Sequence, residues 1–328
     1  MSLPILPTTG VGSGAKPEYV TEAKGRLNEG SKRAIAEHIR IQEALNITIK
    51  DDGEFYVGDM STDYARELGL PIADWTRSYD NRFWRKGTVD RPLERSKPIK
   101  LEQFEYAQSL TDGPVKGMLT GPTTLANWLF NSHYAKREDL IFAWAEIIGQ
   151  EALALEKAGA KYIQIDEPAV AERPWEGNLF KEALGRVTKG LQAYTITHVC
   201  YGDFGLVYPR MRELPVSQVD IELSSELDLG PDISKILGMM REDPLTRYRD
   251  VAVGVIDIRP GVPVESLDTV VRRIHTALKV LAPTEEELRR IWIDPDCGFR
   301  TTKDTEIAYG KLKVMAEAVE QVRQELYR

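Results

Sequence analysis

The chain has 328 residues, of which 42% are hydrophobic and 29% charged, and 43 basic against 51 acidic residues give a net charge of −8. This composition is ordinary for a soluble globular protein, and the acidic balance argues against a broad nucleic-acid or anionic-membrane surface. Since the sequence shows neither an export signal nor an apolar stretch of membrane-spanning length, it predicts a cytoplasmic protein that acts on a small molecule or on another protein.

Short apolar runs alternate with longer amphipathic stretches along the chain. The runs are typical of parallel strands covered on both faces, because most are apolar or β-branched throughout. They occupy residues 4–8, 47–50, 115–119, 162–165, 194–197, 219–223, 251–256 and 291–293. Between them, stretches such as 137–158 and 304–326 repeat apolar residues at helical spacing.

This alternation predicts the fold class. From the fourth run onward, successive residues at the strand ends lie 24 to 37 residues apart, which is the length of one βα unit; they are Asp166, His198, Glu222, Asp257 and Asp294. The pattern therefore predicts an α/β protein in which residues 1–328 form a single (β/α)8 TIM barrel. The polar stretch 51–113, rich in aromatic residues and arginine, predicts an elaborated β2α2 region over the barrel mouth. Pattern alone leaves an open, doubly wound sheet as the alternative.

Four potential metal ligands follow the predicted strands. In parallel barrels, functional side chains lie at the C-terminal strand ends. His198 and Cys200 are two residues apart, so both side chains project to the same side of an extended strand. Glu222 ends the next strand, and Cys297 follows the last. An imidazole, two thiols and a carboxylate suit a tetrahedral zinc ion. The alternatives are buried cysteines with a core histidine, or a purely structural zinc.

Such a donor set favours alkyl transfer to a thiol. Zinc deprotonates a bound thiol, and the thiolate is the nucleophile. Two thiolates and a carboxylate make the centre electron-rich, and Glu222, as a weak ligand, can yield its place to an incoming thiol. Hydrolysis is better served by a less electron-rich zinc with bound water.

Longer motifs carry a family resemblance. They are YAQSLTD at 106–112, KGMLTGP at 116–122, IQIDEPA at 163–169, HVCY at 198–201 and DPDCG at 294–298. In this order, and over nearly the whole chain, they resemble the catalytic, C-terminal barrel of cobalamin-independent methionine synthases. The resemblance implies a core-type methionine synthase that methylates homocysteine. It also implies zinc bound by His198, Cys200, Glu222 and Cys297.

The resemblance further implies two substrate subsites. Homocysteine maps onto Ser13 in the segment 11–13, onto Glu54 and onto Asp166, where two carboxylates suit an ammonium group and backbone amides suit a carboxylate. Folate-contacting positions of the family map onto Trp128, Arg82 and Glu172. The alternatives are a plain turn at Ser13, rim ion pairs for the charged residues and ordinary packing for Trp128.

Two departures from the family pattern bear on the methyl donor. Full-length members of the family carry a second, N-terminal barrel that helps to hold polyglutamylated folate, whereas this sequence starts at the catalytic barrel, and we expect the protein to work without the second one. The family's GVYDIH histidine, interpreted as the proton donor to folate nitrogen, is replaced by Arg259 in GVIDIR. An arginine cannot act as a general acid near neutral pH. We therefore expect a methylcorrinoid donor, either methylcobalamin or a corrinoid protein. The alternatives are 5-methyltetrahydrofolate, another thiol acceptor such as coenzyme M, and a non-catalytic zinc-binding relative.

Overall fold

In the computed structural model of the protein, the described residues are 3–20, 25–77, 83–200, 202–282 and 284–326. Their strands are β1 (Ile72–Arg77), β2 (Phe83–Val89), β3 (Gly117–Thr120), β4 (Phe130–Asn131), β5 (Tyr162–Asp166), β6 (Tyr194–Val199), β7 (Gln218–Glu222), β8 (Asp250–Ile256) and β9 (Ile291–Pro295). Their α-helices are α1 (Glu29–Ala44), α2 (Thr62–Glu67), α3 (Leu101–Gln108), α4 (Pro122–Trp128), α5 (Arg137–Lys157), α6 (Gly177–Thr188), α7 (Phe204–Met211), α8 (Ser224–Leu229), α9 (Lys235–Glu242), α10 (Leu267–Leu281), α11 (Glu285–Leu288) and α12 (Thr305–Leu326).

The parallel strands follow one another in the order of a barrel. Six of them form one sheet in the order β3-β5-β6-β7-β8-β9. Isolated parallel bridges continue this sheet past both edges: Thr8 pairs with Ile293, Thr9 with Ile49, and Lys50 with Val115, two residues before β3. Because the bridges lead from the last strand back to the first, the fold is the predicted (β/α)8 TIM barrel and not an open sheet.

The first two predicted strands are present only as these bridges. Proline limits the first, because Pro4 and Pro7 have no N–H to donate to a neighbouring strand. Leu6 between them has a φ of 52°, outside the range of a strand. The carbonyl of Pro7 still accepts a hydrogen bond from the Ile293 amide at 2.9 Å, so the short segment keeps its place in the ring.

An apolar layer fills the N-terminal end of the barrel. Ile49, Ala252 and Trp292 form a separate buried cluster inside the strands, with Tyr162 and Tyr194 packed against it. The Tyr194 and Trp292 rings stack with centroids 5.4 Å apart. This floor leaves the C-terminal strand ends as the part of the barrel interior where polar side chains can meet a ligand.

The two long amphipathic stretches form helices, as predicted. They are α5 and α12, and both bury an apolar face in the main hydrophobic core between the strands and the outer helices. Within the described ranges, no helix combines the length and the apolar character that crossing a membrane requires.

The elaborated β2α2 region is also confirmed. It contains α2, the antiparallel hairpin of β1 and β2, and α3. The hairpin does not join the barrel sheet; β2 instead pairs in parallel with the short β4, which follows α4. The hairpin is therefore attached beside α4 and not within the ring of strands.

Glu167, directly after β5, anchors the start of α4. Its buried carboxylate accepts hydrogen bonds from the Thr123 amide at 2.9 Å and from the Thr124 amide and hydroxyl at 2.7 Å each. A Cβ atom at Gly121 would lie 2.2 Å from Cδ of Glu167, so glycine is needed for this close approach.

We expect Glu167→Ala to lower the free energy of unfolding by about 2–4 kcal/mol, because it leaves three buried donors unpaired. Urea denaturation measures this loss. Glu146→Ala removes an exposed glutamate of α5 and should change stability by less than about 0.5 kcal/mol. Equal midpoints for the two variants would contradict the anchoring role.

Candidate metal and amino-acid site

Three of the four predicted metal ligands lie together at the C-terminal end of the barrel. One ligand atom each from His198, Cys200 and Cys297 can be chosen so that all lie within 4.8 Å of one another. The two sulfur atoms are 3.7 Å apart. His198 and Cys200 are buried, and Cys297 is partly buried. This set is called the His–Cys–Cys cluster below.

Strand geometry explains how the cluster forms. His198 lies in β6 and Cys200 directly follows it, so their two-residue spacing sends both side chains inward. Cys297 follows β9 and is 97 residues after Cys200 in the sequence. The curvature of the ring of strands brings the C-terminal ends of β6 and β9 close together at the barrel mouth. There, an imidazole and two thiols form a donor set that suits a transition metal.

Asp220 of β7 holds the His198 ring. The two residues are register partners in adjacent strands, and Nδ1 of His198 lies 2.9 Å from Oδ2 of Asp220. Burial disfavours a charged imidazole, but Asp220 and Cys297 outweigh it and raise the pKa of His198 well above its usual value. A carboxylate at Nδ1 leaves Nε2 as the nitrogen available to a metal.

The two thiols are not equivalent. Contact with Cys200, together with the nearby His198 ring, lowers the pKa of Cys297, whereas the same contact and burial raise the pKa of Cys200 well above its usual value. The negative charges of Glu222 and Asp166 raise the pKa of Cys200 further. Cys297 is therefore the thiol that ionises first.

The fourth predicted ligand, Glu222, ends β7 and lies outside the His–Cys–Cys cluster. It is partly buried and lines a cavity of about 210 Å³ together with Ser224, Asp257, Arg259 and Asp296. Asp296 accepts hydrogen bonds from the Leu223 and Ser224 amides at 3.1 and 2.9 Å. This contact ties the segment after Glu222 to the segment that carries Cys297.

Two carboxylates and a backbone segment meet beside the cluster. Burial raises the pKa of Asp166 to about 7, and the negative charge of Glu54 adds to this rise. A Cβ atom at Gly12 would lie 3.7 Å from Oε2 of Glu54, so Glu54 borders the segment 11–13. Glu54 has a φ of 47°, a conformation that non-glycine residues adopt mainly where the surroundings enforce it. A Cβ at Gly298 would lie 2.2 Å from Oγ of Ser13, so the residue after Cys297 packs directly on the predicted homocysteine segment.

The predicted donor-site residues are described only in part. Trp128, at the end of α4, donates from Nε1 to Glu172 at 3.4 Å, and Asn127 donates to the same carboxylate at 2.5 Å. Lys86 of the hairpin lies 5.9 Å from the centre of the Trp128 ring. Arg82 lies outside the described residues.

Arg259 lies on the other side of the mouth, after β8. It is exposed and forms a bidentate ion pair with Asp257, with Nε 3.0 Å from each carboxylate oxygen. This pairing raises the pKa of Arg259 further, so the side chain stays positively charged.

Residue-by-residue reasoning from the sequence missed a buried polar layer beneath the cluster. Asp220 and Asp294 are fully buried, and neither oxygen of Asp294 has a hydrogen-bond partner among the described residues. Burial and the neighbouring Asp220 raise the pKa of Asp294 well above its usual value. Strand alternation was the available signal for Asp220, because it lies two residues before Glu222 and projects to the same side.

A parallel TIM barrel with a His–Cys–Cys cluster at its C-terminal strand ends belongs to the class of barrel proteins whose active face carries side chains that can hold a metal ion. Residues 6–321 match the family described as the catalytic domain of cobalamin-independent synthases. The chain therefore belongs to this family and is an enzyme of the methionine synthase type.

Individual relatives agree with this family over nearly their whole length. The methionine synthase of Saccharolobus solfataricus is 32% identical, with 99% of this chain and 97% of the relative covered. That of Thermococcus kodakarensis is 34% identical, with 100% and 96% covered. A B12-independent methionine synthase from Shewanella sp. W3-18-1, solved in complex with selenomethionine, superposes with a TM-score of 0.83 at 25% identity and covers 99% of both chains. A methyltransferase from Methanosarcina mazei shares the fold, with a TM-score of 0.64 at 15% identity over 100% of this chain and 96% of its own.

Proposed function

We propose that this protein transfers a methyl group to the thiol of L-homocysteine and forms L-methionine, with residues 1–328 acting as one catalytic barrel. The observation that carries the proposal is the contact between Gly298 and Ser13, because it joins the His–Cys–Cys cluster to the amino-acid segment. A thiol substrate with an amino-acid head group fits both parts at once. The Shewanella relative was solved in complex with selenomethionine, which supports an amino acid of this type as the product.

The metal is proposed to be zinc, held by His198, Cys200, Cys297 and Glu222. When bound, zinc would act as a Lewis acid that lowers the pKa of an incoming thiol, so that the thiolate is present at neutral pH. Asp220 orients the His198 ring for this role. Glu222 faces the 210 Å³ cavity and is the ligand best placed to give way to the substrate thiol.

The head group of homocysteine is proposed to bind between Asp166, Glu54 and the segment 11–13. Two carboxylates attract an ammonium group, and its positive charge offsets their mutual repulsion. Backbone amides near Ser13 suit the substrate carboxylate. The substrate thiol then points to the cluster, because Gly298 packs on Ser13.

The methyl donor is proposed to be a methylcorrinoid, either methylcobalamin or a corrinoid protein. Methyltetrahydrofolate needs a proton on its departing nitrogen, whereas a corrinoid leaves without one. Arg259, held by Asp257, stays charged and supplies no proton. Its guanidinium suits an anionic group of the donor or of a protein that presents it.

A folate donor is the second candidate. The family description, as a synthase independent of cobalamin, favours it. The contact between Trp128 and Glu172, two positions that match folate-contacting residues of the family, supports it as well.

A turnover assay tests the proposal and separates these candidates. The zinc-loaded protein is supplied with methylcobalamin or with mono- and polyglutamylated methyltetrahydrofolate, and with homocysteine or coenzyme M as acceptor. We expect methionine from homocysteine and methylcobalamin. Product from coenzyme M but not from homocysteine would contradict the proposed acceptor. Zinc binding without turnover or thiol-linked proton release would indicate a non-catalytic relative.

We expect Asp166→Asn to weaken homocysteine binding by about 1.5–3 kcal/mol, because it removes a charged partner of the ammonium group and no metal ligand. Glu54→Gln should act in the same direction. Isothermal titration calorimetry measures the affinity, and metal analysis checks that zinc stays bound. Unchanged affinity, or loss of zinc, would show that the amino-acid subsite lies elsewhere.

A further inference from the structure

A lysine lies deep in the barrel, below the residues that the proposed reaction uses. Lys116 directly precedes β3 and is 1% exposed. A buried ammonium group is costly unless it is hydrogen-bonded and its charge is balanced. Burial would raise the pKa of the nearby Asp51, but His38 and Lys116 outweigh it and lower this pKa, so Asp51 supplies a negative charge close to Lys116.

The contacts of Lys116 are specific. Its ammonium donates one hydrogen bond to the carbonyl of Gly10 and one to Oε1 of Gln164. Gln164 belongs to β5 and is also 1% exposed. Because an ammonium group can only donate, it fixes which end of the Gln164 amide is oxygen and leaves Nε2 on the opposite side as the donor.

The donor end of Gln164 reaches two parts of the proposed homocysteine site. Nε2 donates to the carbonyl of Val11 and to Oδ1 of Asp166, at 2.7 Å each. Val11 begins the segment 11–13, and Asp166 is the proposed ammonium partner. One amide thus connects the backbone expected to bind the substrate carboxylate with the side chain expected to bind its ammonium group.

We infer that Lys116 and Gln164 are positioning residues that set the distance between the segment 11–13 and Asp166, and so the fit for the α-amino acid head group. This inference rests on the proposed homocysteine site. Lys116 orients the Gln164 amide and holds Gly10, while Gln164 holds Val11 and Asp166. Both residues are 1% exposed and neither belongs to the His–Cys–Cys cluster, so the inferred role acts through Gly10, Val11 and Asp166.

Two substitutions at position 164 separate positioning from simple packing. Gln164→Met keeps the length and the burial of the side chain but has no amide. Gln164→Glu keeps an oxygen for Lys116 and adds an ion pair with it, but it replaces the donor end with an acceptor that repels Asp166 and the Val11 carbonyl. Gln103→Met is the matched control, because Gln103 is buried on α3 and donates to the carbonyl of Gly25 at 2.8 Å, in a different part of the fold.

The experiment is a calorimetric titration of each zinc-loaded protein with L-homocysteine and with L-methionine, together with zinc analysis and thermal unfolding. We expect both position-164 variants to raise the Kd for both amino acids about tenfold to 100-fold, the range for a displaced or lost hydrogen bond to a charged group. Zinc content should stay at that of the unmodified protein. Gln103→Met should bind both ligands as the unmodified protein does.

Lys116→Met should also raise the Kd for both amino acids. If Lys116→Met does not fold, Gln164→Glu still tests the inference. Unchanged affinity in Gln164→Glu would overturn the inference, because this variant keeps the Lys116 contact and loses only the donor end. Loss of zinc together with affinity would also overturn it, since the effect would then pass through the metal. If the unmodified protein binds neither amino acid, the proposed function itself is wrong, which is a different result.

Discussion

Replacing Cys200 or Cys297 with serine is expected to remove most of the bound zinc and to abolish homocysteine methylation. The two sulfur atoms lie 3.7 Å apart beside His198, so each substitution removes one ligand from the cluster. A serine hydroxyl does not ionise near neutral pH and binds zinc poorly, whereas a thiolate is a preferred ligand. Because the cluster lies at the strand ends, above the apolar floor, the barrel should remain folded.

Metal analysis, circular dichroism and turnover check this expectation, with one zinc ion per chain in the unmodified protein. Thr197→Val is the matched control on the same strand. Thr197 alternates with His198, is buried and donates to the carbonyl of Ile165 at 3.0 Å, so this variant should keep its zinc. Full zinc occupancy in the Cys200→Ser/Cys297→Ser double variant would show that the metal is bound elsewhere.

The unmodified protein is expected to use methylcobalamin and to show little or no turnover with methyltetrahydrofolate. General acid catalysis is typically worth about 10²–10⁴-fold, and Arg259 cannot supply it. Arg259→His should therefore raise folate-dependent turnover by about tenfold or more, since it restores a group that titrates near neutral pH. Steady-state assays with both donors measure the change.

Arg259→Lys is the control for this experiment, because lysine keeps the positive charge but remains protonated near neutral pH. It should not raise folate-dependent turnover. Robust activity of the unmodified protein with methyltetrahydrofolate, and none with methylcobalamin, would reverse the donor assignment. The proposed zinc site and homocysteine site would be unaffected by that result.

The sequence by itself predicted the barrel and most of its strand ends. Strand and helix periodicity are local properties, so parallel strands and amphipathic helices such as α5 and α12 were visible without coordinates. The two-residue spacing of His198 and Cys200 was enough to place both on one face of a strand. The family resemblance added Glu54, Asp166 and Ser13, whose roles stay predictions until binding is measured.

The tertiary structure decided which of these residues meet. Cys200 and Cys297 are 97 residues apart, and only the curvature of the ring brings their sulfur atoms together. Asp220 faces His198 because β6 and β7 pair in one register, and a shift by one residue would turn its side chain away.

The connection from Lys116 through Gln164 to Asp166 also depends on tertiary structure. It joins the residue before β3 to β5 and to the N-terminal segment inside the barrel, and no spacing along the chain encodes it. Proline at positions 4 and 7 likewise reduced a predicted strand to a single bridge. Local patterns therefore set which elements form, whereas strand register and burial inside the ring set which side chains share a site.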